Sequence, residues 1–117
     1  MPIKSRYLFT AAMDVEADKD AIFNEVYDKE HVPSLLEVPG VIAVARFKRR
    51  ELEMFIGGER RKIVIEGEPT YTAIYEVESP SVLVTPQWAA AVERGRWPGQ
   101  VRPYTKNRRH VLYRRIS

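Results

Sequence analysis

The sequence contains no cysteine. That removes disulfides, thiolate nucleophiles, iron–sulfur clusters and thiolate zinc sites, and leaves histidine, tyrosine, arginine and carboxylates to do any chemistry. Histidine is scarce too, with two copies, so a transition-metal site would need carboxylates that no spacing in the chain supplies. There is no Gly-rich phosphate loop and no dinucleotide fingerprint. No apolar run approaches the roughly 18 residues of a membrane span, and the basic start MPIKSRYLFTAAMD lacks the apolar stretch and cleavage site of a signal peptide. These absences predict a cytoplasmic protein that works without metal or cofactor.

What is present reads as one domain over residues 1–117. The composition, 44% hydrophobic and 30% charged, is that of a globular chain able to bury a core. Its net charge is +3, unevenly placed: eight Arg or Lys residues and no acid lie between Arg94 and Ser117. Such a tail keeps a nucleic-acid partner in view.

Along the chain, RYLFTAAM (Arg6 to Met13) reads as a strand, and Asp18 or Asp20 supplies an N-cap for a helix from about Asp18 to Leu36. At 100° per residue, Ile22, Phe23, Val26 and Pro33 form its core-facing stripe, and Pro33 kinks or divides its last turn. Val41 to Lys48 reads as a second strand. Residues 49–69 form a long polar excursion in which Gly57-Gly58 turns a small hairpin. Tyr71 to Val77 is the third main strand, a helix follows Pro86 and closes near Gly95, and NRRHVLYRRI (Asn107 to Ile116) alternates as the last strand.

Strand, helix, strand, strand, helix, strand predicts an α+β fold: a ferredoxin-like four-stranded antiparallel sheet with two helices on one face. A sheet covered on one side should be polar on the other. Here Tyr7, Phe9 and Ala11 alternate with Leu8 and Ala12, and Tyr71, Ala73, Tyr75 and Val77 alternate with Ile74. Both faces are apolar, so the uncovered one calls for a partner, most simply a second copy.

Within the first helix Asn24, Tyr27 and His31 stand three and four residues apart, and so are neighbours at the edge of the stripe. A neutral imidazole exchanges protons near pH 7, and a phenol beside it can donate to a developing oxyanion. Equally, Tyr27 could be a core edge and His31 a helix-terminal residue favoured by the helix dipole.

The run FNEVYDKEHVPSLLEVPGVIAVARF, Phe23 to Phe47, resembles the dimeric α+β barrel superfamily, in particular its EthD-like branch. An aromatic is followed by Glu-His-x-Pro on the first helix, a Leu pair, Pro-Gly-Val, and an Arg on the second strand. The resemblance implies a homodimer in which the sheets of two subunits pack as a barrel, with a cleft in each subunit between sheet and helices. Relatives include cofactor-independent oxygenases, polyketide cyclases and lactone isomerases, as well as members without known activity. By this match His31 is the candidate proton shuttle and Tyr27 the pocket wall or hydrogen-bond donor. Arg46 either anchors a carboxylate or enolate or pairs with a helix acid. Tyr71 and Tyr75 share a strand face and are candidate pocket residues, core packing accounting for at least one. Trp88 packs the second helix onto the sheet at the same cleft, and Asn24 completes the candidate set.

Asp14, Glu16, Asp18, Asp20 and Glu25 imitate a calcium loop, but its sixth position is Lys19 where the turn needs glycine. RNA-recognition modules share this sheet, yet their basic-Gly-aromatic-Gly-aromatic run is absent. Solvated arginines that block edge pairing explain the basic tail. The leading expectation is a small homodimeric acid–base enzyme of isomerase, cyclase or oxygenase type acting on a small apolar or aromatic molecule. The alternatives are a ligand-binding protein of the same fold that does no chemistry and, third, a single-strand nucleic-acid binder.

Overall fold

The computed structural model describes residues 4–117; Met1 to Ile3, at the head of the basic N-terminal stretch, lie outside it. The main sheet contains β1 (Tyr7–Val15), β2 (Val41–Lys48), β5 (Tyr71–Val77) and β6 (Thr105–Arg114) in the order β2-β5-β1-β6, every neighbour antiparallel. With the helical segments between β1 and β2 and between β5 and β6, this is the expected ferredoxin-like arrangement. Of its two central strands, β5 alternates regularly in burial, whereas β1 is most buried over Ala11 to Met13. In β5 the residues Tyr71, Ala73, Tyr75 and Val77 are all buried, with half-buried residues between them.

The first helical segment differs from a regular helix in a way that matters for the site. A short 3₁₀ turn, Ala17–Lys19, leads into α1 (Asp20–Val26). Neither Asp18 nor Asp20 caps it, because the Asp20 carboxylate is taken by the Tyr71 hydroxyl, 2.6 Å away. After α1 comes a π-helical turn, Tyr27–His31, in which Val32 N–H reaches back to Tyr27 O, and then α2 (Val32–Leu36). The widened turn accommodates one residue more than an α-helical turn. Everything beyond it is rotated by about 100° relative to an unbroken helix. The buried side therefore runs Phe23, Val26, Tyr27, His31 and Leu35, and Pro33 is exposed rather than core-facing. The break expected at Pro33 falls in the turn before it, where the carbonyl that its ring would meet is displaced.

The excursion at 49–69 is a hairpin arm, β3 (Leu52–Ile56) against β4 (Glu59–Ile63). Gly57 and Gly58 both have positive φ, 62° and 81°, as a two-residue turn of this hand requires. Among the described residues the arm pairs with no other strand, and it bares Phe55, which is 72% exposed. After β5, Thr85 caps α3 (Pro86–Ala91) by accepting from Trp88 N–H at 3.1 Å, with Pro86 in the first turn. A second π-helical turn, Trp97–Val101, carries the chain back toward the sheet. Phe23, Val26, Leu35, Val77 and Val101 form the fully buried centre.

The opposite side of the sheet is uncovered by any described residue. Leu8, Ala43, Ala45, Phe47 and Ile74 line a shallow apolar concavity there of about 230 Å³, and Phe47 and Tyr113 are 54% and 53% exposed.

Candidate functional site

A cleft of about 260 Å³ opens between the sheet and the helical layer. Its floor comes from β1 and β5 through Phe9, Ala11, Met13 and Tyr75, and its roof from Tyr27, His31, Trp88 and Trp97. A larger hollow, about 560 Å³, lies at the base of the hairpin arm, but charged side chains and exposed aliphatics line it. It has no histidine or aromatic, whereas the smaller cleft, which no residue of the arm lines, holds the candidate residues His31 and Tyr27.

The π-helical turn is what brings His31 into this cleft. The side chain is 6% exposed, lies flat against Trp97 at 4.2 Å between ring centroids and 16° between planes, and meets the edge of Tyr27 at 5.1 Å. Its Nδ1 is buried without a hydrogen-bond partner among the described residues. Burial, reinforced by the nearby Arg102 charge and opposed by Glu93, lowers its pKa to about 4. At neutral pH it is therefore a neutral imidazole with an unused nitrogen, a group that a ligand can satisfy.

Beside it, the hydroxyls of Tyr27 and Tyr75 share a hydrogen bond of 2.9 Å. Burial raises the pKa of both phenols. The hydrogen bond from Tyr75 and the Arg46 charge oppose the rise at Tyr27, and Tyr27 adds to it at Tyr75. Both carry their protons at pH 7. Whichever donates, the accepting phenol keeps a proton to offer a third group. Trp88 meets Phe9 and Tyr75 edge-on at 5.9 and 5.8 Å, so it packs α3 onto the sheet and walls the cleft as well.

The other sequence candidates are gathered elsewhere. Arg46 donates to Asp28 Oδ1 at 2.7 Å and to Asn24 Oδ1 at 2.9 Å, and its guanidinium lies 4.4 Å from the centre of the Tyr27 ring. Asn24 also donates to Asp20 O at 2.9 Å and approaches the Tyr71 hydroxyl at 3.3 Å. Asn24, Arg46 and Tyr71 thus line a separate, shallow depression on the other side of the Phe23 and Tyr27 rings. Of its two readings Arg46 shows the pairing with a helix acid, with its cation on the back of Tyr27.

Trp97, Arg102, Arg108 and His110 line the cleft and are not among the cleft candidates read from sequence. Trp97 precedes Pro98-Gly99, which reads as a loop. It is held in place because Glu30 accepts from Arg96 N at 2.9 Å and Arg96 Nε at 2.6 Å, and because Gly95, at φ 65°, leaves room for that carboxylate. For Arg108 and His110 a signal existed: they stand two apart on a strand and so share a face.

A scan against family models and a search of curated proteins each find no match. Among solved structures, a mutant form of SnoaB, a cofactor-independent oxygenase from Streptomyces nogalater, superposes with a TM-score of 0.61 at 14% identity, covering 97% of this chain and 96% of its own. The heme-degrader MhuD from Mycobacterium tuberculosis, with two hemes bound in its active site, gives 0.60 at 12% identity over 95% and 96%. An EthD family protein from Bacillus halodurans gives 0.57 at 10% over 94% and 99%. At such identities the likeness is one of fold: the chain shares a ferredoxin-like α+β fold with these proteins.

Proposed function

We propose that the protein is a homodimer that binds a small aromatic or apolar molecule in the His31 cleft and moves a proton on it, in chemistry of isomerase, cyclase or oxygenase type. The observation that carries this reading is the buried, unpartnered His31 nitrogen next to the Tyr27–Tyr75 phenol pair in an aromatic-walled cleft. A C–H proton next to a ligand carbonyl passes to the free imidazole nitrogen. The electron pair of that bond becomes the C=C bond of an enolate as the carbonyl π pair moves onto oxygen, where the phenol proton left over from the Tyr27–Tyr75 bond stabilises the charge. Arg46 supports the pair from behind the Tyr27 ring without touching the ligand. The cofactor-independent oxygenase SnoaB is consistent with such residues working alone. The heme bound by MhuD does not fit here: about 260 Å³ takes one or two fused rings, and His31 lies flat under Trp97.

The experiment is hydrogen–deuterium exchange of an enolisable aromatic ketone, 2-tetralone, in D₂O followed by NMR. The protein should accelerate exchange beyond free imidazole at equal concentration. His31→Asn should lose the acceleration by the roughly 10²–10⁴-fold of a general acid–base group. A second reading, a ligand-binding protein that does no chemistry, is favoured by the low proton affinity of His31, since a base works best with a pKa near the working pH. Saturable binding of 2-tetralone with no acceleration of its exchange would decide for that reading.

A further inference from the structure

A bulge in the sheet places a cation at the mouth of the His31 cleft. On β6, Arg109 pairs with Ala12 and Lys106 with Asp14, so two residues, Asn107 and Arg108, stand opposite Met13. Asn107 has φ 53°, the left-handed conformation that asparagine tolerates and that such bulges use. Its amide donates to Asp14 Oδ2 at 3.0 Å and to Gly67 O at 2.7 Å. Asp14 also accepts from Thr70 N–H at 2.8 Å. Burial raises the Asp14 pKa, but the bonds from Asn107 and Thr70 and the charge of Arg49 outweigh it and hold the carboxylate below its ordinary range. The bulge is pinned to the sheet on one side and to the base of the hairpin arm on the other.

This construction does not spend its cation on the protein. Arg109 turns away to Glu68 at 3.2 Å, whereas Arg108 and His110 line the cleft. His110 stacks on Phe9 at 5.9 Å with 5° between planes. Arg102, on the facing segment, gives part of its guanidinium to Glu93 at 2.8 Å and to Val92 O at 2.9 Å. Arg108 makes no hydrogen bond or ion pair among the described residues. Arg108 is exposed at the cleft mouth, and a guanidinium is a planar fork suited to a carboxylate.

We infer that Arg108, flanked by His110 and Arg102, binds an acidic group of the ligand at the cleft mouth, so that the ligand is an aromatic carboxylic acid with its rings among Phe9, Trp88 and Trp97. The inference rests on the cleft being a small-molecule site, and it narrows the class of molecule. It also bears on His31: burial is the main cause of its low proton affinity, and an anion beside Arg102 offsets the charge that adds to it.

Titration calorimetry with 2-naphthoate and its uncharged counterpart 2-naphthylmethanol tests this, with inorganic phosphate as a third probe. The carboxylate should bind roughly tenfold or more tightly than the alcohol, as a charge-assisted hydrogen bond would give. Arg108→Gln should bring the two within about twofold of each other, and Arg108→Lys should restore part of the gap. Equal binding of acid and alcohol to the wild type, a preference that survives Arg108→Gln, or phosphate binding as tightly as the naphthoate would overturn the aromatic-acid site while leaving the cleft a ligand site. If neither naphthalene binds, the cleft reading falls and this inference falls with it.

Discussion

An imidazole buried against Trp97 and facing Arg102 binds a proton poorly, and the folded protein must bear that deficit whenever the solution offers one. The free histidine value is 6.5 and the folded value about 4. Between these two the unfolded chain takes up the proton and the native state does not, so acidification favours unfolding. The penalty should be absent above pH 6.5, grow as pH falls toward 4, and be complete below it. It amounts to on the order of 3 kcal/mol. His110 is shifted the same way by burial and then by Arg108, so the wild-type profile contains both groups. Urea midpoints measured from about pH 7 to about pH 4 should therefore fall in the wild type and fall much less in His31→Phe, which keeps the stack on Trp97. A variant profile parallel to the wild type would show that His31 is not the buried neutral group described.

At the scale of elements, the π-helical turn connects fold to site. An unbroken helix through 27–31 would carry both His31 and Leu35 away from the core, since one residue corresponds to about 100°. The turn costs helix regularity and gains the burial of Leu35, 1% exposed, together with the His31 stack. Deleting Lys29, an exposed residue inside the turn, tests whether the extra residue is required. Losing a buried leucine costs about 2–5 kcal/mol, so the melting temperature should drop by on the order of 10–20 °C. The Trp97 environment, read by fluorescence, should change with it. An unchanged melting curve would mean that the turn is slack that the helix can take up elsewhere. Glu30 joins the same turn to the segment carrying Trp97 through its bonds to Arg96, so roof and wall of the cleft are fixed to each other.

For the whole molecule, the described residues extend 19 Å in the thinnest direction and 50 Å in the longest, the hairpin arm included. One sheet face supports the core, whereas the other presents Leu8, Ala45, Phe47 and Ile74 with nothing over them among the described residues. A contiguous apolar face of this kind on a chain this size calls for a cover, and a second copy brings a face of the same chemistry. Light scattering at micromolar concentration should give twice the 13.6 kDa of the chain. Ala45→Glu, which puts a charge into the apolar concavity of that face, should return the monomer mass with little change in the His31 cleft on the other side. A wild-type monomer would remove the homodimer from the proposal. The basic tail is split among these surfaces: Arg108 lines the cleft, and Arg109 bonds to Glu68 and Gly67 O at the base of the arm. That division argues against a continuous phosphate track.

The sequence by itself determined the layers. Period-two alternation in YTAIYEV and the run VIAVARFK after Pro39-Gly40 located β5 and β2 with their observed limits, and Gly57-Gly58 marked the arm's turn, because these signals act between near neighbours. The seven candidate residues read from the sequence divide: Tyr27, His31, Tyr75 and Trp88 line one cleft, and Asn24, Arg46 and Tyr71 line a separate depression. Tertiary structure decided the rest. The π-helical turn follows from packing rather than from propensity, so a regular helical angle put Pro33 inward when it is exposed. Arg46 was placed correctly on its strand, but only the position of the Phe23 and Tyr27 rings determined that it would face Asp28 and Asn24 and not the cleft. Trp97, Arg102 and Arg108 reach the site from segments far beyond His31 in the chain, through a second π-helical turn and a bulge. Such irregularities are set by contacts between residues distant in sequence, and periodicity cannot register them.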